Sequence, residues 1–305
     1  MKYCFQGFYK SQQCNPMQSK KFWLCAMILV TIIWGWSFSA IHNAMNHMSA
    51  SMFNSLRFLL ASAFLFALIA IKKNIRHIQA HIKGGVVPGI MLFAAFAFQT
   101  EGIAHTTASN AAFITGTAVV FTPVLNVLIN RKRITYQQWF FVMATVFGLG
   151  LLTINDFQIS IGDLLVLGCA IFTALHIIYL SRYSKILEAD KLAWVQVSIV
   201  GALSMAYALI FEAPKISWQQ EDMATIVLVG IWGTAFGFYA QTKAQIYYPE
   251  QVIAMILVLE PVFGGLFGYF LLNERLTLVN ISGAVIIIFS ILLMEMLQTE
   301  KITHA

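Results

Sequence analysis

The sequence has little charge: of its 305 residues only 10% are Asp, Glu, Lys or Arg, whereas 59% are hydrophobic. A soluble globular protein carries about 25% charged residues, so this chain is too apolar for a water-exposed surface. We therefore expect an integral membrane protein that has the lipid bilayer as a partner. The net charge of +6 does not indicate nucleic-acid binding, because in a membrane protein the placement of Lys and Arg matters more than their sum.

Cysteine is also scarce, and the spacing of its four residues matches neither a zinc site nor a disulfide framework. The chain has no Walker sequence, dinucleotide fingerprint, H-E-x-x-H or G-x-S-x-G motif. The sequence therefore predicts no cofactor, no metal and no ATP-driven or hydrolytic chemistry. A cleaved signal peptide is not expected either, because the first apolar run is long enough to remain as a spanning helix.

What the sequence has in abundance is long apolar runs separated by short loops. About 20 apolar residues cross a bilayer as a helix. Backbone polar groups in lipid must be bonded within their own segment, so these runs are predicted to be helices. Ten are predicted, at residues 23–43, 51–71, 85–104, 109–129, 136–155, 160–181, 191–211, 223–243, 250–272 and 278–298.

Lys and Arg lie mainly on one face of this predicted bundle. The N-terminal tail and the loop after the second helix carry four each, and the basic residues continue in alternate loops. The opposite face carries only Lys215 and Arg275, with Arg57 further inside the second helix. Because Lys and Arg are enriched in cytoplasmic loops, both termini are predicted to be cytoplasmic. We expect a multi-pass protein of a bacterial inner membrane.

Two stretches of the chain repeat one pattern: an apolar helix with a central Pro, a polar turn ending in Thr, and a second apolar helix. They span residues 110–139 and 250–280. The alignment matches Pro123 with Pro261 and Thr122 with Glu260, although the first copy is about one turn shorter between its Pro and its Thr. Five helices per half is an odd number, so the halves must be inverted in the membrane. Inverted repeats with interrupted helices are typical of transporters, and both prolines are predicted helix breaks.

Short motifs along these segments resemble those of one transporter family. They are Trp34-Gly35 with Phe38, Arg57-Phe58, the turn at 105–112, and Glu260-Pro261 followed by residues 273–277. Over about residues 22–298 the chain resembles a drug/metabolite transporter of the EamA type. The resemblance implies an all-α integral membrane fold of ten transmembrane helices, arranged as two inverted five-helix repeats. It divides the chain into a cytoplasmic tail at 1–22, repeats at 23–155 and 156–298, and a cytoplasmic tail at 299–305.

The resemblance also implies a pathway between the first, third, fourth, sixth, eighth and ninth helices. The candidate cavity residues are Trp34, Phe38, His42, Phe96, Gln99, Thr115, Thr122, His176, Trp232, Tyr239 and Glu260. His42 stands where many relatives have Lys, which would make the charge at that position pH-dependent. Aromatic walls suit apolar, aromatic or cationic cargo, although each aromatic residue also fits a packing role.

Three charged residues within the spans are candidates for a gate or for coupling. Glu260 lies at mid-depth, where a carboxylate is costly and is a functional-site hypothesis by default. Its open roles are a structural bond beside Pro261, proton exchange, and contact with a cationic group of the substrate. Arg57, about 10 Å inside the second helix, and Glu101, near the outer end of the third, would form an outer gate. The alternative is that the last two snorkel separately to the interface.

We expect a secondary transporter that moves a small metabolite, an amino acid or related compound, across the inner membrane by alternating access, with export as the expected direction. The alternative is an uptake carrier, or an exporter of cationic or aromatic drug-like compounds. A membrane-embedded enzyme is a remote alternative, because the candidate acids are scattered in depth and side. The expected partners are a small-molecule substrate and protons. The expected assembly is a monomer, with a dimer as the second assignment.

Overall fold

The computed structural model describes residues 16–44, 47–73, 78–103, 105–106, 108–131, 134–153, 160–212, 219–272 and 277–303. Within these ranges the regular structure is entirely helical. Apolar runs that must bond their own backbone groups in lipid fold in this way. The fold therefore agrees with the all-α class that the sequence predicts.

Most helices begin and end within four residues of the predicted apolar runs, but α1 and α3 begin seven residues earlier and α13 ends five residues later. Their bounds are α1 Pro16–Ala44, α2 Ala50–Ile71, α3 Ile78–Ile103, α4 Ala108–Gly116, α5 Ala118–Asn130, α6 Tyr136–Thr153, α7 Ile161–Ser184, α8 Ala189–Tyr207, α9 Gln220–Leu228, α10 Gly237–Tyr247, α11 Glu250–Leu257, α12 Leu259–Leu272 and α13 Leu278–Thr303. A π-helical segment, Ala208–Glu212, continues α8, and a second, Val229–Phe236, joins α9 to α10.

The described helices account for ten membrane spans. Eight stretches are long and apolar enough to cross a membrane, and two shorter apolar helices, Tyr136–Leu152 and Leu278–Met294, complete the set. The fourth span consists of α4 and α5, the eighth runs from α9 to α10, and the ninth consists of α11 and α12. The prediction of ten helices is confirmed.

The fourth and ninth spans are each interrupted at a single residue. Thr117 separates α4 from α5 and Val258 separates α11 from α12, with ψ angles of −8° and −11°. The prolines predicted to form these breaks lie inside the helices that follow: Pro123 in α5 and Pro261 in the first turn of α12. A proline ring clashes with the carbonyl four residues earlier. Val258 therefore lies within reach of Pro261, whereas Thr117 lies six residues before Pro123, further than the ring of that proline reaches.

The last helix of each half begins with the same reciprocal cap. At α6, the Thr135 amide donates to the Gln138 side chain at 2.9 Å, and the Gln138 amide donates to the Thr135 hydroxyl at 3.3 Å. At α13, Thr277 and Asn280 exchange the same two bonds at 3.0 and 3.2 Å. Such caps satisfy amides that a helix start leaves free. The polar turn ending in Thr, seen in the sequence of both halves, is therefore a helix-capping device.

The breaks and the caps together give the register of the two repeats. The interval from the break at Thr117 to the capping Thr135 differs by a single residue from the interval between Val258 and Thr277. When the halves are aligned on their breaks, Pro123 and Pro261 lie on different turns. Glu260 then corresponds to Val119 rather than to Thr122. This register removes the one-turn mismatch that an alignment on the prolines leaves.

Helix packing follows the same inverted repeat. The second span packs on the seventh (α2 on α8), and the fifth packs on the tenth (α6 on α13). α1 packs on α12, and in the matching arrangement α7 packs on α4 and α5. α3 lies against α7 and α8, just as the eighth span lies against α1 and α2. Exchange of the two halves therefore maps these contacts onto one another, as two inverted five-helix repeats require.

Candidate functional site

Glu260 lies where the first and ninth spans cross. It occupies the first turn of α12, just after the break at Val258, and its side chain is partly buried. A Cβ added at Gly35 of α1 would lie 2.7 Å from the Gly264 nitrogen and 2.9 Å from the Glu260 carbonyl oxygen. Real Cβ atoms do not approach backbone atoms so closely, so glycine at position 35 allows this crossing.

Arg57 projects from α2 into a cage of three phenylalanines. Its guanidinium carbon lies 5.0 Å from the ring centroids of Phe58 and Phe96 and 5.7 Å from that of Phe53. The residue is only 7% exposed, and its Nε has no hydrogen-bond partner in the described part of the chain. A cation–π contact contributes about 0.5–2 kcal/mol, whereas burial of an ion costs several kcal/mol. The three rings therefore offset part of the cost of burying this charge.

The charge that acts on Arg57 comes from the other half of the molecule. Arg57 and Glu260 interact electrostatically, but among the described residues they do not form a direct ion pair. The guanidinium therefore keeps unused hydrogen-bonding capacity within electrostatic range of a carboxylate. We call Arg57 of α2, Phe96 of α3 and Glu260 of α12 the charged junction.

Glu101 has a different partner from the one that the sequence suggested. Its carboxylate lies 3.6 Å from Nε2 of His105, one turn further along the chain, and these side chains are 54% and 51% exposed. The described contacts thus join Glu101 to His105 and place Arg57 near Glu260. They do not bring Arg57 and Glu101 together as an outer gate.

An aromatic wall adjoins the charged junction. The ring centroid of Phe238 lies 5.7 Å from Phe58, 6.5 Å from Phe96 and 5.6 Å from Trp34. The Trp34 indole nitrogen donates to the carbonyl oxygen of Gly233 at 2.6 Å. Gly233 belongs to the π-helical segment of the eighth span, a kind of irregular turn that occurs often at functional sites. Rings from α1, α2, α3 and α10 therefore form one apolar surface.

His176 packs against this wall and is bound into a buried polar chain. Its Nε2 lies 2.8 Å from Oε1 of Gln196, and Nε2 of Gln196 donates to the Thr242 hydroxyl at 3.1 Å. The Thr242 hydroxyl in turn donates to the carbonyl of Phe238 at 2.6 Å. The chain joins α7, α8 and α10. It gives His176 a structural partner and fixes the turn that carries Phe238.

The two threonines predicted to line the fourth span differ in their surroundings. Thr122 is fully buried, and its hydroxyl donates to the Ala118 carbonyl of its own helix at 2.7 Å. Thr115 is partly buried on α4, close to the Cys169 thiol of α7. Cys169 is also within electrostatic reach of Glu260. Thr115 therefore lies on a helix that contacts both α7 and α12, whereas Thr122 makes a bond within its own helix.

The remaining predicted cavity residues have no described contact with the charged pair. Trp232 is 56% exposed and packs against a neighbouring ring of its own span. Tyr239 packs edge-on against a tryptophan of α1 at 5.6 Å, and Gln99 is partly buried on α3. The side chains of Phe38 and His42 lie outside the described residues.

A second buried polar group includes Glu250, a residue that the sequence did not single out. Asn126 of α5 donates from Nδ2 to Oε2 of Glu250 at 3.4 Å, and Asn130 donates to Oδ1 of Asn126 at 2.6 Å. Glu250 is only 3% exposed, although it begins α11. A carboxylate at a helix start resembles an ordinary interfacial residue in the sequence. The one available signal was a polar Asn inside the apolar run of the fourth span.

The chemistry available at the charged junction is that of binding. Within the described residues, no three His, Cys, Asp or Glu side chains are grouped so that they could hold a metal ion. The junction offers a cation, a carboxylate and aromatic rings, contributed by both halves of the molecule. These groups can bind and orient a small polar molecule with an apolar portion.

Ten spans in two inverted halves, with ionisable residues inside spans of both halves, define a membrane transporter of the inverted-repeat class. The chain belongs to the EamA-like transporter family, whose model matches it twice, over residues 21–154 and 160–296. Each match contains five of the ten spans.

Similar proteins carry transporter names. The chain is 30% identical over 270 residues to an uncharacterized transporter of Archaeoglobus fulgidus, covering 88% of this chain and 84% of that protein. It is 22% identical over 273 residues to the uncharacterized transporter YoaV of Bacillus subtilis, covering 87% and 93%. A solved crystal structure superposes with a TM-score of 0.74 at 13% identity, over 89% of this chain and 96% of the other. This last likeness shows a shared fold.

Proposed function

We propose that the protein is a secondary transporter that moves a small metabolite across a bacterial inner membrane by alternating access. The proposed cargo is an amino acid or a related compound, and the proposed direction is export. Both termini face the cytoplasm in this proposal, because Lys and Arg concentrate in the loops of that side. The proposed functional unit is the monomer.

The observation that carries the proposal is the charged junction. Arg57 from the first half and Glu260 from the second half act on each other inside the helix bundle. Ionisable residues within spans mark substrate or ion pathways, and inverted-repeat carriers bind substrate where their halves meet. Rocking of one half against the other would present the same groups first to one side of the membrane and then to the other.

The second candidate is an uptake carrier, or an exporter of cationic or aromatic compounds. The aromatic wall of Trp34, Phe58, Phe96 and Phe238 favours it, because aromatic faces attract cations and pack against rings. A membrane-embedded enzyme has less support, since the family and the named relatives are transporters.

Binding followed by counterflow tests the proposal. Purified protein is melted in the presence of a metabolite library, since a ligand of the folded state raises its melting temperature. Compounds that raise it are then loaded into proteoliposomes, and entry of the labelled compound is followed. Saturable counterflow is expected of a carrier. Non-saturable flux would indicate a channel, and absence of flux for every bound compound would contradict transport.

Proton coupling through Glu260 belongs to the same proposal. Glu260→Gln keeps the size and polarity of the side chain but cannot release a proton. We expect the variant to bind cargo while its net transport no longer responds to an imposed pH gradient in proteoliposomes. Glu101→Gln is the matched control, because Glu101 is exposed and lies beside His105. Normal transport by the Glu260→Gln protein at every pH would remove the coupling role.

A further inference from the structure

We propose that Arg57 binds a carboxylate group of the transported compound. The inference rests on the proposed transport function and narrows its substrate class to compounds that carry a carboxylate. It separates the cargo classes considered above, because Arg57 would repel a compound that carries only positive charge.

The first argument is the incomplete bonding of the Arg57 side chain. The residue is 7% exposed, and Nε has no hydrogen-bond partner among the residues that the structure describes. A guanidinium carries five N–H donors in a planar fork, which fits a carboxylate through two parallel bonds. Buried polar groups are nearly always bonded, so each exception requires an explanation. A carboxylate of the cargo would supply the acceptor that Arg57 lacks.

The second argument is the placement of Glu260. Its charge acts on Arg57 from the opposite half, yet the two side chains make no direct ion pair in the described structure. A purely structural pair would be expected to bond directly, because buried ions repay their desolvation only with good geometry. Glu260 therefore leaves donors of Arg57 available to an acceptor from the cargo.

The third argument concerns the surroundings of the guanidinium. Phe53, Phe58 and Phe96 enclose it at 5.0–5.7 Å, and Phe238 extends the apolar surface beyond Phe58. Interactions between charges strengthen where water is excluded. A compound with a carboxylate and an apolar or aromatic body would therefore place the carboxylate against Arg57 and the body against the rings.

The experiment compares ligands that differ only in their charged groups. The full-length purified protein is melted with L-phenylalanine, 3-phenylpropanoate and 2-phenylethylamine, and with the other L-amino acids paired with their decarboxylated amines. At least one carboxylate compound is expected to raise the melting temperature while its decarboxylated partner does not. The proposal is overturned if amines stabilise the protein as well as the matched acids do, or if no carboxylate stabilises it.

Variants test the residue itself. Arg57→Gln is expected to weaken carboxylate binding at least about tenfold, because charge-assisted bonds are lost. Arg57→Lys should weaken it less, since it keeps the charge but loses the fork. Glu101→Gln is the exposed control and should bind as the unmodified protein does. Unchanged affinity in a folded Arg57→Gln protein overturns the proposal. If that variant does not fold, the comparison of matched acids and amines on the unmodified protein still tests the proposal.

Counterflow distinguishes failure of this proposal from failure of the transport function. Arg57-dependent binding of a carboxylate without counterflow of the same compound would contradict transport and leave the binding site standing. Counterflow that prefers an amine to its matched acid, and that is unchanged by Arg57→Gln, would leave transport standing and overturn the carboxylate site.

Discussion

At the scale of single residues, side chains support an irregular helix beside the charged junction. The Trp34 indole donates to the Gly233 carbonyl across two spans at 2.6 Å. In the same π-helical segment the Thr234 hydroxyl donates back to the Val229 carbonyl at 3.0 Å. A wide turn disturbs the ordinary ladder of backbone bonds, so partners from side chains help to stabilise it. The irregularity is therefore built into the packing of the first and eighth spans.

Trp34→Phe tests this support. The substitution keeps an aromatic ring and removes the donor to Gly233, so a buried carbonyl loses its partner. We expect the free energy of unfolding to fall by about 1 kcal/mol, seen as a lower melting temperature in detergent. Trp232→Phe is the matched control, because Trp232 is 56% exposed. This variant should melt close to the unmodified protein. Equal melting of the two variants would argue against the bond.

Single residues also show what could be predicted from the sequence. Glu260 stands out there because it is a lone carboxylate in an apolar run. Its proximity to Arg57 could not be predicted, because position along a helix gives depth but not which neighbour the side chain faces. The bond between Asn126 and Glu250 joins positions 124 residues apart. A contact between residues so far apart in the chain leaves no local sequence pattern, so only the structure shows it.

At the scale of helices, most predicted and observed limits agree because apolar runs determine the spans, whereas α1 and α3 begin in polar sequence that precedes their apolar runs. The helix breaks were less predictable. Pro123 and Pro261 indicated interrupted helices, but the interruptions fall earlier, at Thr117 and Val258. Val258 lies in the turn before Pro261, where a proline disturbs the helix, but Thr117 lies six residues before Pro123, further than the ring of that proline reaches.

Gly35 provides a test of the crossing between α1 and α12. Gly35→Ala would place a Cβ within 2.7–2.9 Å of backbone atoms of α12, which cannot rotate away. We expect the helices to separate locally, with a destabilisation of about 1–3 kcal/mol and loss of transport. At Gly233 an added Cβ meets its nearest atom, a side-chain carbon, at 3.3 Å. Gly233→Ala should therefore be milder in both melting and transport assays, and the reverse order would contradict this crossing.

The capping residues of the two halves are predicted to differ in their effect. Asn280 caps α13 and also donates from Nδ2 to the carbonyls of Leu151 and Leu152 on α6, at 3.3 and 2.9 Å. The described bonds of Gln138 are confined to its own cap. We expect Gln138→Ala to cost about 1 kcal/mol, as caps usually do, and Asn280→Ala to cost more. Melting temperatures of the two variants provide the comparison, and a larger drop for Gln138→Ala would contradict it.

At the scale of the whole molecule, a symmetric framework carries an asymmetric site. The contacts between spans repeat under exchange of the two halves. The charges do not repeat, because Glu260 corresponds to Val119 in the register set by the helix breaks. The architecture therefore provides two halves with matching helix contacts, while the second half alone provides the carboxylate at this position.

One end of the bundle is joined across the halves in this structure. Asn126 of the fourth span contacts Glu250 at the start of the ninth. The proposed alternating access requires that this contact break when the bundle opens on that side. A lock placed there should therefore hold the molecule closed at that end and leave the other end free.

The most direct test of the account asks whether one position on α4, a helix that contacts both α7 and α12, is reached from both sides of the membrane in turn. Thr115→Cys is placed in a variant whose native cysteines are replaced by Ser. A membrane-impermeant maleimide is applied to vesicles of each orientation, with and without Ni²⁺ bridging an added Asn126→His, Glu250→His pair. The account predicts labelling from both sides without Ni²⁺, and only from the side opposite the lock with it. Labelling from a single side without Ni²⁺, or labelling that Ni²⁺ leaves unchanged, would contradict alternating access.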